Sequence, residues 1–79
     1  MNLQIITPDT RIYEGQVKMV QVPGSKGSFQ ILKNHAPIIS TLEKGDVRII
    51  DDKNRTSTYP ISGGVIEVKN NEIIILAES

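Results

Sequence analysis

Polar and apolar residues alternate in three stretches of the chain: Val20 and Val22 around Gln21, Val47 and Ile49 with Asp46 and Arg48, and Ile66 and Val68 with Glu67 and Lys69. A period of two puts successive side chains on opposite sides of a strand, so each stretch predicts a strand with one buried face. Turn signals punctuate the rest: Pro8-Asp9, Glu14-Gly15, Pro23-Gly24, Asn34 to Pro37, Lys44-Gly45, Asp51 to Arg55, Gly63-Gly64 and Asn70-Asn71. This spacing predicts an all-β fold of roughly eight or nine short antiparallel strands, closed as a small β-sandwich or flattened barrel. Asn70-Asn71 is a two-residue hairpin signal because asparagine tolerates the left-handed φ such a turn needs, and Asp51 to Arg55 marks a looser hairpin. No helical period is long enough to matter.

The alternation fails at Ile5-Ile6, Ile38-Ile39, Ile49-Ile50 and Ile73 to Leu76, where apolar residues occupy both sides of a strand. A sandwich has one interior, so some of these side chains point outward, and four such places are more than scatter. They are expected to form a partner surface, although isolated surface isoleucines are ordinary.

The densest turn chemistry lies between Val22 and Pro37. Pro23 presets φ for the second position of a tight turn, and Gly24 is expected to supply the positive φ of a type II turn at the third. Gly27 lets the chain re-enter a strand, and Pro37 pushes Ala36 away from helical geometry. Two sharp loops joined by one short strand follow. Gly63-Gly64, paired within strand-like sequence, implies a bulge or the close approach of another backbone, from inside the fold or from a partner.

Composition narrows the possible functions. The chain has 79 residues, which bounds it to one domain spanning residues 1–79. A domain of this size buries only about 60% of its unfolded surface. Isoleucine occurs 13 times and valine 6 times against 4 leucines, a β-branched weighting that suits pleated, half-buried surfaces. Without cysteine, disulfides, thiolate chemistry and Cys-based metal sites are excluded. Nine basic residues balance nine acidic ones, so no net field draws nucleic acid or an acidic membrane. No run approaches the roughly 20 apolar residues of a membrane span, and the first residues lack a secretory pattern, so a soluble, intracellular chain is expected. Asn54-Arg55-Thr56 is then a polar turn and not a glycosylation site.

Reactive constellations are thin. His35 is the only histidine and has no second histidine or cysteine with which to hold zinc, so it is read as a loop histidine bonding a backbone carbonyl or as a partner contact. Gly24-Ser25-Lys26-Gly27 looks faintly like a phosphate loop, but its spacing is wrong and a strand follows where a helix N-terminus is required. Asp51-Asp52 is a like-charge pair on a hairpin tip with no third ligand nearby. No catalytic, cofactor or metal residues are assigned. Two other classes compete: a single-stranded nucleic-acid-binding barrel of the OB or cold-shock type, and a small enzyme or ligand carrier. The first needs a basic groove and clustered aromatics, whereas Tyr13, Phe29 and Tyr59 are scattered; the second needs convergent polar groups in a pocket.

In order and spacing, Val22-Pro23-Gly24, Gly27-Ser28-Phe29 and His35-Ala36-Pro37 resemble the beta domain of the epsilon subunit of rotary ATP synthases. The likeness runs on through Leu3 to Pro8, Tyr13-Glu14-Gly15, Gly45 to Ile49, Gly63 to Val68 and Ile75 to Ser79, covering almost the whole chain. Within the main motif, Gln30 stands where that family usually has glycine.

The resemblance implies a non-catalytic rotor component that binds the gamma subunit and the membrane rotor ring, so that ring, gamma and epsilon turn as one body. It also implies a peripheral place on the cytoplasmic side of the bacterial plasma membrane, touching the membrane only through the complex. Carried onto this sequence, it implies gamma contacts at Thr7, Ile12, His35, Ile39 and Ser40, with Ile39 the buried anchor. Ring contacts are implied at Ser25, Lys26 and Ser28, with Phe29 as anchor, and Lys26 is expected to pair with an acidic ring loop. Longer members continue into an inhibitory, in some cases ATP-binding, pair of C-terminal helices. That hairpin is not in this sequence, so neither inhibition by extension nor nucleotide binding is expected of it.

Overall fold

The computed structural model describes residues 1–78 and contains eight strands. They are β1 (Asn2–Ile6), β2 (Arg11–Gly24), β3 (Gly27–Leu32), β4 (Ile38–Leu42), β5 (Gly45–Asp51), β6 (Thr56–Ile61), β7 (Gly64–Lys69) and β8 (Glu72–Ala77). Ser79, the last residue of the closing motif, lies outside the described residues. The strands run in the order β1-β8-β7-β4-β2-β5-β6, with β3 on the free side of β2 and β1 also pairing β2. The path closes on itself through β2, giving the expected flattened β-sandwich. One layer is β4-β7-β8-β1 with the first half of β2; the other is β3, the second half of β2, β5 and β6.

Two details differ from the sequence reading. The strands are not all antiparallel, because β1 and β8 pair in parallel from Asn2↔Glu72 to Ile6↔Leu76. Nor are they all short: β2 runs for 14 residues straight through the Glu14-Gly15 signal. It can do so because it changes partners along its length, from β1 at Arg11–Gln16 to β5 at Val17–Gln21. The change is made by a bulge between Val17 and Met19, which also resets the phase: Val17 faces inward, and after the bulge Val20 and Val22 do.

The Pro23-Gly24 turn is likewise displaced. Both residues belong to β2, paired with Ser28 and Gly27, and Ser25-Lys26 form the two-residue turn. The positive φ falls on Gly27, at 125°, and not on Gly24. Pro23 is tolerated in a strand because the β2–β5 ladder ends at Gln21↔Arg48, leaving no partner for the missing N–H. Gln30, the departure from the family pattern, occupies an ordinary strand position opposite Gln21. Asn70 and Asn71 do form the predicted hairpin turn, with φ of 53° and 60°.

A cluster of buried aliphatic residues fills the interior, among them Leu3 and Ile5 of β1, Val20 and Val22 of β2, Ile31 of β3, Ile49 of β5, Ile66 of β7 and Ile75 of β8. No polar or charged residue is buried among the described residues, so cohesion comes from aliphatic packing and the strand ladders. The three alternating stretches place Val20, Val22, Val47, Ile49, Ile66 and Val68 inward, as their period requires.

The two glycines after β6 answer to a cause inside the fold. A Cβ on Gly64 would stand 2.2 Å from the Leu76 carbonyl oxygen of the adjacent β8, at a φ of 149° that side chains rarely adopt. The close approach expected there is therefore strand against strand within one sheet. Gly64→Ala must push β8 away from β7, and we expect a loss of about 3 kcal/mol or more, read from the urea midpoint.

The looser hairpin, between β5 and β6, is held by one carboxylate. Asp51 Oδ1 accepts the Lys53 and Arg55 backbone N–H groups at 2.8 and 2.9 Å, and Oδ2 accepts Arg55 Nε at 2.9 Å. The Arg55 backbone N–H first, helped by that of Lys53 and the guanidinium, holds the Asp51 carboxyl below its ordinary 3.8. Its folded pKa being depressed, the stabilisation is full above 3.8 and is lost as pH falls through the folded value. Asp51→Asn should lower the urea midpoint near neutral pH and flatten its decline on acidification, while a parallel decline in both proteins would contradict this.

Candidate functional site

Strand register decides what the outer surface of the β4-β7-β8-β1 layer displays. Thr41 of β4 lies opposite Val65 of β7, Val65 opposite Leu76 of β8, and Leu76 beside Ile6 of β1, so three apolar side chains stand in one row. Ile39, two positions along β4 from Thr41, is diagonal to Val65 and 74% exposed. Leu76 is 55% and Val65 37% exposed. Ile12 lies at the β1–β2 irregularity beside Ile6 and is 38% exposed. Cross-strand neighbours are about 5 Å apart, so the row spans about 15 Å from β4 to β1. Glu67 of β7 and Gln4 of β1, in the next row with Ile74, give it a polar rim.

The outer surface of the other layer differs. Gln30, Gln21, Arg48 and Thr58 share one row. Arg48 Nε donates to Gln21 Oε1 at 3.2 Å, and Gln21 Nε2 donates to Ser28 Oγ at 3.0 Å. An apolar row at its far end, Leu32-Met19-Ile50, buries Met19 but leaves Ile50 half-buried and Leu32 53% exposed. An apolar row left open to solvent is a protein-docking feature, whereas a hydrogen-bonded polar row is already satisfied.

The five expected gamma contacts are brought only partly together. Ile12 and Ile39 lie at opposite ends of the apolar surface. Ser40 points the other way, toward the core side opposite Ile66, and is half-buried. Thr7 sits in the β1–β2 turn, where its hydroxyl donates to the Thr10 carbonyl and accepts the Thr10 N–H, both at 3.1 Å. His35 lies in the β3–β4 loop, its Nδ1 2.7 Å from the Ala36 carbonyl oxygen. A carbonyl can only accept, so Nδ1 carries the proton of this contact. Val65 was missed, although the alternation that puts Ile66 inside already put it outside; Leu76 was expected only as part of the apolar run Ile73 to Leu76.

The four expected ring contacts gather at the β2–β3 hairpin. Ser25, Lys26 and Ser28 are exposed. Phe29 is half-buried and packs on the core, its ring lying over Gly24, where a Cβ would come within 2.7 Å of it. The tip is tied to β4: Ser25 N–H donates to the Thr41 carbonyl at 3.1 Å and Thr41 Oγ1 donates to Ser25 Oγ at 3.0 Å. Hairpin tip and β4 thus flank one open groove, with Lys26 and Ser28 on one side and Ile39 and Ser40 on the other.

The aromatic residues offer no platform for bases. Tyr13, Phe29 and Tyr59 all pack against the core, and the two tyrosine rings lie against each other with centroids 5.7 Å apart. Burial first, then the nearby Asp51 charge, raises the Tyr13 pKa above its ordinary value. The nucleic-acid reading therefore has no stacking surface to use.

Residues 1–79 match the family described as ATP synthase, Delta/Epsilon chain, beta-sandwich domain. The ATP synthase epsilon chain of Chlorobaculum tepidum is 40% identical over 76 residues, an alignment covering 96% of this chain and 86% of that protein. That of Maricaulis maris is 40% identical over 78 residues, covering 99% of this chain but 58% of the relative. Among solved structures, a chain in the cryo-EM structure of Euglena gracilis mitochondrial ATP synthase, OSCP/F1/c-ring, superposes with a TM-score of 0.88 at 21% identity, over 95% of this chain and 48% of its own. A chain of the Tetrahymena thermophila mitochondrial ATP synthase central stalk and c-ring gives 0.83 at 17% identity, over 99% and 63%. Strand arrangement, motifs and relatives agree: the chain belongs to the ATP synthase delta/epsilon family, as the β-sandwich domain found in its epsilon chains.

Proposed function

We propose that this domain is a non-catalytic coupling piece of the ATP synthase central stalk, gripping the gamma subunit with the outer surface of β4-β7-β8-β1 and meeting the membrane rotor ring with the β2–β3 hairpin. The observation that carries the reading is the row Val65-Leu76-Ile6 with Ile39 beside it, an apolar surface left open on one layer, whereas the other layer opens only Leu32 and part of Ile50 at the end of a polar row. Such a surface, polar at its rim, is what a durable protein interface uses. Lys26, exposed at the hairpin tip, would pair with acidic loops of a ring. The domain then sits at the cytoplasmic face of a bacterial plasma membrane, held there by its partners.

Torque transmission asks for stiffness, and the fold supplies it. The path β1-β8-β7-β4-β2-β1 closes between β4 and β2 through the pair Gly24↔Leu42 and the Ser25–Thr41 bonds, so a load applied at the hairpin tip passes into the strand ladders of both layers.

Ile39→Asp would bury an unpaired charge within the grip, at its β4 end. We expect it to weaken binding of the cognate gamma subunit by about 30-fold or more while far-ultraviolet circular dichroism stays that of the folded domain. Thr58→Asp, on the opposite surface, should bind as the unaltered chain does. Equal loss in both variants, or in neither, would contradict the assignment of the surface.

A further inference from the structure

Two asparagines 37 positions apart in sequence hold each other by their amides. The Asn34 backbone N–H donates to Asn71 Oδ1 at 2.8 Å, and Asn71 Nδ2 donates to Asn34 Oδ1 at 3.1 Å. A backbone N–H can only donate, which fixes the orientation of the Asn71 amide and, through it, that of Asn34. Asn71 is engaged on its backbone as well, its carbonyl accepting the Asn2 N–H at 2.9 Å. Both residues hold left-handed φ, 64° for Asn34 and 60° for Asn71.

The clasp joins two loops at one end of the sandwich. Asn71 belongs to the tight β7–β8 turn, which strand pairing on both sides makes rigid. Asn34 belongs to the loop from Lys33 to Pro37, which carries His35 and leads directly into Ile38 and Ile39 of β4. Inside that loop the only other hydrogen bonds among the described residues are local: His35 N–H to the Leu32 carbonyl at 3.1 Å and the His35 ring to Ala36. The bonds that anchor the loop to the rest of the domain are thus those to Asn71.

We propose that Asn71 is a positioning residue for the partner surface: its side chain orders the Lys33–Pro37 loop before binding, so that His35 and the start of β4 meet the partner preformed. This rests on the reading of that surface as the gamma grip. A loop already ordered does not lose its freedom on association, and the affinity gained is the freedom not lost. The cluster is exposed, so a purely stabilising role would be small.

Asn71→Gly separates the two roles. Glycine adopts the left-handed conformation at this turn without strain, so the hairpin should keep its stability while both amide bonds disappear. We expect nitrogen-15 relaxation to show lowered order from Asn34 to Ala36, an unchanged thermal midpoint, and gamma binding weakened about tenfold. Asn71→Asp should restore much of that affinity, because one carboxylate oxygen still accepts the Asn34 N–H and a flipped Asn34 amide can donate to the other. An unchanged loop in Asn71→Gly overturns the clasp, as does a loosened loop with unchanged affinity. Ile39→Asp, measured alongside, tells the failures apart. If it loses binding while Asn71→Gly does not, only the clasp falls; if neither loses binding, the surface falls with it.

Discussion

A domain of 79 residues built as two β layers has one interior, and its sequence holds more strand-forming aliphatic side chains than that interior can take. Everything else in the structure depends on how this excess is distributed. Alternation sends Leu3, Ile5, Ile66, Ile73 and Ile75 inward and leaves Ile6, Val65 and Leu76 outward on the same three strands. Because β1, β8 and β7 are neighbours in register, the outward residues fall into one row and are not scattered. Apolar side chains in water are unfavourable by about 25 cal/mol per Å² relative to burial, so the row carries a standing drive toward a partner.

Elsewhere the open apolar side chains are fewer: Leu32, with Ile50 half-buried beyond the buried Met19, on the other layer. The outer side of β3, β2 and β5 is joined by hydrogen bonds between Arg48, Gln21 and Ser28, and the aromatic residues are drawn into the core. More apolar side chains stand open on one surface than on the other, which gives a neutral domain a direction in which to bind. The hairpin tip is bonded to β4 through Ser25 and Thr41, which fixes the exposed tip relative to that surface. A piece that must hold two bodies in fixed orientation gains from having both contacts on elements bonded to each other.

Much of the fold was legible in the sequence. The three alternating stretches gave core residues, and Asn70-Asn71 gave a turn, because period and turn chemistry are local properties. What misled were cases where distant pairing overrules a local signal. Pro23-Gly24 is a turn sequence by itself, yet the pairing of β2 with β3 moves the turn to Ser25-Lys26. Glu14-Gly15 is a break by itself, yet β1 holds both residues in a strand through Leu3 and Gln4. The parallel pairing of β1 with β8 joins the two ends of the chain and leaves no short-range trace. The site divides in the same way: Ile39 was visible as half of an apolar doublet, but the apolar row beside it exists only once β7, β8 and β1 are set in register. Ser40, named beside it, faces the other side because neighbours on a strand must.

The most direct test of the account is cross-saturation of methyl groups in an isoleucine-, leucine- and valine-labelled chain bound to the gamma subunit. The account predicts transfer to Ile6, Ile12, Ile39, Val65 and Leu76, and none to Leu32 or Ile50 on the other layer. Transfer concentrated on Leu32 and Ile50, with Val65 and Leu76 silent, would contradict it.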